Sequence, residues 1–562
     1  MQYSEFVSVY ESLTATAKKL EKTSILAEFL KKLEKKGKSE WIYLLRGGVL
    51  ADYDSREFGI SDQLVLKAIG VAFGIKSEEI VDRHKKVGDW GEIAEFYVEK
   101  RKQSTLFSSK LSVDKVFGNL KLILDIEGKG AVDKKMQLIS ELLTSATGKE
   151  AKYIVRTLLN DLRVGVADAL LIDSIVLAFF ENKDGMKAKI EEKYDIANDS
   201  ALIFDAALKG EKEIDKIDIE PGRPIKVMLA VKVESIEEGF EAVGKPCALE
   251  HKYDGFRMLI SKNNGKITLF TRKLENVTLQ FPDVVSAVEK NVKGDSFVLD
   301  SEVVGYDKKT GKYRPFEAIS QRIKRKYEIE KLIDLLPVEV NVFDVVHYNG
   351  ESLINSPFRE RRKLVEKIIK EKELVIRPAT QIITDDDKKA GKFYESALKI
   401  GEEGIMMKSL SAPYKQGRKV GYMVKMKPTV NDVDLVIVGA EYGNGKRAGW
   451  LTSFIVACKD GDKILEIGMV SSGLKEKEEE GTSYDEMTKL LKLLIIDEEG
   501  NKVKVKPKVV VSVTYQNMQK SPTYASGYAM RFPRITHYRP DRSIYDIASL
   551  EDIEKEVKKQ RR

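Results

Sequence analysis

Cysteine is almost absent. Only Cys247 and Cys458 occur among 562 residues, so a disulfide framework and a four-cysteine zinc site are both excluded on number. No run reaches the roughly 18 apolar residues that a membrane-spanning helix needs, so no membrane contact is expected. The start, MQYSEFVSVYESL, has no basic stretch leading into an apolar one and does not read as a secretory signal. Neither an internal repeat nor a low-complexity tract occurs. Few cysteines and no signal make a reducing cytoplasm the expected compartment. A large excess of one charge is missing too: 96 Lys and Arg stand against 89 Asp and Glu, a net of +7. That balance allows nucleic-acid binding without demanding it, because the footprint is a local patch and not a total. Richness in Lys and Glu with little cysteine also suits a protein from a warm environment.

What is present is a soluble, multidomain composition, with 42% apolar and 33% charged residues. The chain is too long for one core, and roughly 100–200 residues per domain predicts three. Residues 1–219 read as helical. Phe6, Tyr10, Leu13, Ala17 and Leu20 recur at helical steps, and Ser24 reads as an N-cap ahead of Ile25, Phe29 and Leu33. Pro221, Gly222 and Pro224 crowd the segment IDIEPGRPIKVMLA and mark a boundary. Residues 220–428 mix strand-like runs (GKITLFTR, DSFVLDSEVVGYD, VEVNVFDVV) with helical ones such as SPFRERRKLVEKIIKEK, an α+β pattern. Residues 429–562 carry short strands, Gly-rich turns and one helix near SYDEMTKLLKLLI, which predicts a small OB-fold β-barrel.

The central region holds the chemistry. In EHKYDGFR, Lys252 lies inside a Lys-x-Asp-Gly-x-Arg pattern. A free lysine is almost wholly protonated at pH 7 and attacks only where nearby cations or a metal favour the neutral amine. Arg257, Arg272, Lys408, Lys425 and Lys427 supply cations that suit a polyphosphate. Arg272 comes at the end of a strand. Asp300 and Glu302 stand two apart on one strand face, a spacing for ribose or metal contact. Phe343 lies on a strand where its ring can stack on a base. Glu403 precedes Lys408 in EEGIMMK, and Lys425 and Lys427 share a strand face in YMVKMK. Taken singly, each has a plain structural reading: solvent-facing strand residues, a core ring, a wet sheet face.

Taken together, in this order and spacing, the five blocks resemble the nucleotidyltransferase superfamily of ATP-dependent DNA ligases, RNA ligases and mRNA capping enzymes. The resemblance implies that Lys252 attacks the α-phosphate of ATP and carries AMP. It implies that Glu250 reads the adenine amino group and that Phe343 stacks on the base. Arg257 and Arg272 hold ribose and phosphates, Glu302 and Glu403 serve the sugar and Mg²⁺ sites, and Lys425 and Lys427 contact the α-phosphate. The loop KQGRKVGYMVK is one residue longer than the family pattern, so Arg418 and Lys419 both suit the place of a family arginine.

The flanks narrow the resemblance. RTLLNDLRVGVADALLIDSIVLAFF and GRPIKVMLA resemble the helical DNA-binding domain and boundary of archaeal and eukaryotic DNA ligases, with Val227 where the family usually has proline. MRFPRITHYRPDR resembles their last block. It matches at Arg531, Arg534 and Asp541, with Arg542 where lysine is usual. The family's NAD-dependent relatives need a four-cysteine zinc site, so ATP is favoured. The resemblance thus implies nicked duplex DNA as substrate, enclosed mainly by phosphate contacts. It implies a monomer, since one chain holds every element, working in the cytoplasm on the nucleoid. Gln103, Leu106 and Phe107 in QSTLF resemble a sliding-clamp-binding motif. The competing expectations are an RNA ligase, a capping-type guanylyltransferase, or a DNA-binding scaffold that forms no adenylate.

Overall fold

The computed structural model describes all residues except 55, 101–109, 315, 317, 318, 320, 321, 324, 326, 327, 419, 420, 429–431, 444–446, 448, 477–481, 561 and 562. The chain forms two compact units, Met1–Met426 and Lys427–Arg562. The helical and α+β regions therefore pack as one unit.

The helical part begins at Tyr3–Thr14, which buries Tyr3, Phe6, Val7, Tyr10 and Leu13. The apolar spacing read from Phe6 holds as far as Leu13. It does not extend to Ala17 and Leu20, because a new helix, Lys19–Lys36, starts there and Leu20 is 81% exposed. Ser24 is correspondingly not an N-cap. It lies inside that helix, and its hydroxyl donates to the Leu20 carbonyl one turn back, the alternative open to serine in mid-helix. Successive helices, including Ala131–Ser145, Gly148–Leu158 and Asp168–Phe180, bury one continuous core. Among the described residues no helix is long and apolar enough to cross a membrane.

The breaker-rich segment is pinned on both sides. Lys226 Nζ lies 3.0 Å from both Asp168 and Asp195 of the helical part. Asn263 Nδ2 donates to the Pro221 carbonyl, and the Gly222 N–H donates to Ser261 Oγ. Ile219, Ile225, Val227 and Met228 share a core with Ile196 and with Leu259, Val298 and Val346 of the sheets. Prolines here fix an extended path whose flanks are then buried.

The α+β part is built mainly on two large sheets. Its strands are β1 (Val231–Val233), β2 (Cys247–Lys252), β3 (Phe256–Asn263), β4 (Lys266–Thr271), β5 (Phe297–Tyr306), β6 (Val338–Tyr348), β7 (Ile376–Pro378), β8 (Gln381–Thr384), β9 (Gly404–Ser409) and β10 (Met423–Met426). One sheet runs β8-β2-β9-β10-β1 and the other β7-β6-β5-β3-β4, with two short strands added on β5 and β6. Helices Ile236–Val243 and Asp387–Lys399 cover the first sheet, while Pro282–Asn291 and Phe358–Ile368 cover the second. Alternation along each strand leaves the polar residues of β2, β5, β6 and β9 for the site.

The second unit is strand-rich, as expected. Val433–Tyr442 is its hub, pairing with Leu451–Asp460, Lys502–Val505 and Val510–Thr514. The helix expected near SYDEMTKLLKLLI ends at Lys492, and Ile495–Glu499 is a strand.

Candidate active site

Lys252 ends β2, and its ammonium lies 2.6 Å from Glu403 Oε2. Glu403 sits just before β9, where its N–H donates to the Lys252 carbonyl and Gly404 pairs with Lys252 across the ladder. Local backbone pairing thus fixes the amine and its carboxylate together. Gly255 follows in the turn to β3. A Cβ there would lie 2.4 Å from the Val303 carbonyl oxygen, so only glycine lets this turn press against β5.

Arg257 and Glu302 face one another across β3 and β5. The Arg257 guanidinium is committed within the protein: Nε donates to Asp300 Oδ1 at 2.8 Å, Nη2 to Asp300 Oδ2 at 2.5 Å, and Nη1 to the Met228 carbonyl at 2.6 Å. The Tyr414 hydroxyl also donates to Asp300 Oδ2, at 2.6 Å. Asp300 is 0% exposed, so it does not serve the ribose or metal contact expected of it; its carboxylate anchors Arg257. Phe343, on β6, lies between two cations, with Arg257 Cζ 5.4 Å and Lys408 Nζ 4.5 Å from its ring centre.

Glu250 lies two residues before Lys252 on the same face of β2, and its Oε2 is 2.6 Å from Lys408 Nζ on β9. Lys425 is on β10, on the same rung as Met406 and Glu250. Lys427 falls just past the end of β10, so the shared strand face expected for Lys425 and Lys427 is not formed; Lys427 opens the second unit. Arg272 follows directly on β4. Arg418 ends a two-residue strand paired with Met228–Leu229, whereas Lys419 lies outside the described residues, as do Gln103, Leu106 and Phe107. In the second unit Arg531 and Arg534 end and begin successive strands. Arg539 grips Asp541 at 2.7 and 2.9 Å, and Arg542 Nε lies 3.8 Å from Asp434.

The carboxylates around Lys252 crowd one another. Loss of water pushes the Glu302 carboxyl up to about 7; Lys252 and Arg257 oppose this, and Glu403 and Asp300 add to it. Burial likewise pushes Glu402 up to about 8, aided by Asp254, Glu302 and Glu403 and opposed by the Asp254 backbone N–H. Oxygen donors and excess negative charge suit Mg²⁺, which takes one or two carboxylates and fills its remaining positions with phosphate oxygens and water. Among the described residues no group of three or more acidic, His or Cys side chains is placed to hold a metal ion.

Glu402 also makes a pH prediction. Its folded-state value lies above the usual 4.5, so between about 4.5 and 8 the folded chain binds the extra proton, and stability falls as pH rises through that window. Glu402→Gln should therefore melt higher than the parent at pH 9 and no higher at pH 5, without nucleotide or Mg²⁺. Equal melting differences at both pH values would remove the assignment.

Sequence reading missed Tyr414, Gln381, Arg362 and Glu402. Glu402 had a signal in the doubled acid of GEEG; the other three carry none, since they come from a loop, a strand and a helix far apart in the chain.

An amine set among carboxylates, an aromatic ring flanked by cations and an arginine locked in a buried ion pair, all between two sheets, are the parts of a nucleotidyltransferase. Comparison with known proteins specifies the kind. The model described as ATP dependent DNA ligase domain matches residues 227–427, DNA ligase N terminus matches 2–176, and ATP dependent DNA ligase C terminal region matches 447–542. A DNA ligase of Nanoarchaeum equitans (strain Kin4-M) is 45% identical, the match covering 100% of this chain and 99% of the relative. One from Thermococcus fumicolans is 38% identical, with 98% of each covered. The solved structure described as Pmar-Lig_Pre shares the fold at 18% identity and a TM-score of 0.59, covering 95% of this chain and 99% of its own. The chain belongs to the ATP-dependent DNA ligases.

Proposed function

We propose that the chain seals nicks in duplex DNA in three transfers, the first two of which pass through Lys252. The Lys252–Glu403 pair beside the buried Arg257–Asp300 pair is the observation that supports this reading most. In the first transfer the neutral Nζ attacks the α-phosphorus of ATP. A P–N bond forms, the P–O bond to pyrophosphate breaks, and the amine proton is lost. In the second, a 5′-phosphate oxygen of the nick attacks that phosphorus, the P–N bond breaks and Nζ regains a proton. In the third, the 3′-hydroxyl attacks the activated 5′-phosphate, joining the strands and releasing AMP.

Each residue has a proposed part. Glu403 orients the amine. Phe343 stacks the base and Glu250 receives its amino group. Arg257, Arg272, Arg418, Lys425 and Lys427 gather the sugar and phosphates. Charge on the phosphoryl oxygens and on departing pyrophosphate is what these cations stabilise. Glu302 and Glu403 would hold Mg²⁺, which supplies further neutralisation of the triphosphate. The domains divide at 219 and 428, and the protein works as a monomer in replication, repair and recombination, on cytoplasmic nucleoid DNA.

The test is joining of a 5′-phosphorylated nick with ATP, beside RNA nicks and capping substrates. Sealing of the DNA nick alone supports the reading; joining of RNA only, or transfer to an mRNA 5′ end, replaces it. Binding of nicked DNA should be sequence-blind and should fall steeply with salt, by roughly 10³-fold or more between 50 and 200 mM if six or more phosphates are contacted. A flat salt response would sink enclosure of the duplex. Gln103, Leu106 and Phe107 are proposed to bind a sliding clamp, and Phe107→Ala should lose capture by clamp-coated beads. Capture equal to the parent's would discard that partner.

A further inference from the structure

Glu250 has more donors than one ion pair needs. Lys408 Nζ lies 2.6 Å from its Oε2, Gln381 Nε2 donates to its Oε1 at 2.8 Å, and Arg362 Nη1 stands 3.7 Å from Oε1. Glu250 and Lys408 are each 2% exposed. Gln381 sits directly across the β8–β2 ladder from Glu250, on the outermost strand of its sheet. Lys408 Nζ is also 4.5 Å from the Phe343 ring centre, so this carboxylate is held beside the proposed base platform.

We infer that Gln381 is a positioning residue that sets nucleotide choice: it holds Glu250 so that only acceptor atoms meet the six-position edge of a purine, which favours ATP over GTP. The inference rests on the reading of Phe343 and Glu250 as base contacts. A carboxylate paired with lysine accepts and has no proton to offer. Adenine brings an amino donor to such an edge. Guanine brings a carbonyl, and two acceptors then face each other away from water, the repulsive element on which discrimination depends. Lys408 fixes one oxygen and Gln381 the other. The terminal torsion of glutamate is broad, so loss of the Gln381 amide lets the carboxylate turn. Gln381 lies on an edge strand and only part-buried, which makes it replaceable without opening the core.

The experiment is single-turnover covalent labelling of the full chain with α-³²P ATP or GTP and Mg²⁺, giving kcat/KM for each. The parent should prefer ATP. Gln381→Leu should lower the ATP-to-GTP ratio about tenfold, through a higher KM for ATP. Gln381→Glu should lower it as well, because a second carboxylate repels the Glu250 oxygen that the amide held. Thermal melting checks the fold. Gln381→Asn, which keeps an amide one methylene shorter, should move the ratio in the same direction if the leucine variant does not fold. Ratios within about twofold of the parent's in folded variants, or equal losses with both nucleotides, overturn the role. No label in the parent from either nucleotide overturns the proposed function and this inference together, whereas a labelled parent with an unmoved ratio removes the role of Gln381 alone.

Discussion

Lys252→Ala is expected to take up no AMP from α-³²P ATP on a denaturing gel, and its sealing of a phosphorylated nick should fall by at least about 10³-fold. In the proposed mechanism the side chain is the carrier itself; Lys408 is buried against Glu250 and arginines are not nucleophiles, so neither stands in for it. The same variant supplies an internal control. A nick already bearing AMP on its 5′-phosphate needs no lysyl intermediate, so its closure should survive the substitution. Losing both activities equally would mean that the variant had collapsed or that Lys252 is structural. Label in the variant would move the nucleophile elsewhere. Removing the ammonium also strips Glu403 of its 2.6 Å partner. The melting temperature of Lys252→Ala should therefore depend more strongly on pH than the parent's, falling as the crowded carboxylates ionise.

Asp300→Ala should be the most damaging change outside the nucleophile. It leaves Arg257 with its charge but without the carboxylate that receives Nε and Nη2, and the Tyr414 hydroxyl loses its acceptor. Breaking one side of a buried ion pair costs roughly 3–5 kcal/mol, against at most about 1 kcal/mol for an exposed pair. In a unit spanning Met1–Met426 that corresponds to a fall of roughly 3–6 °C in melting temperature. Adenylate formation should drop as well, because Arg257 shares a rung with Glu302. Asp300→Asn, which keeps the shape and one acceptor, should recover part of both. A melting shift under about 2 °C for Asp300→Ala would show that the pair is not the anchor it is taken to be.

Much of this was legible in the sequence, for reasons that differ by region. Strands such as Phe297–Tyr306 and Val338–Tyr348 announce themselves by alternation and β-branched residues, because each lies in a packed sheet. The order of the blocks around Lys252, Glu302, Phe343 and Glu403 was readable because chemistry constrains residue type at each. Helix ends were not. Ala17 and Leu20 continue the apolar spacing, yet the chain breaks after Thr14, and periodicity cannot see a break that keeps phase. The face shared by Lys425 and Lys427 failed for a similar reason: spacing of two fits a strand only while the strand lasts, and β10 stops at Met426.

The sequence by itself determined the class of reaction and the succession of helical, mixed and strand-rich regions, because those depend on residue type and local periodicity. Only the tertiary structure decided what each polar group is for. Asp300 and Glu302 lie on the same strand face, but one is fully sealed beneath Arg257 and Tyr414 while the other keeps part of its surface exposed. Glu250 is tied to Gln381, Arg362 and Lys408, residues 131, 112 and 158 positions further along the chain. A carboxylate's role follows from its burial and its partners, and both are set by which distant strands the fold brings beside it.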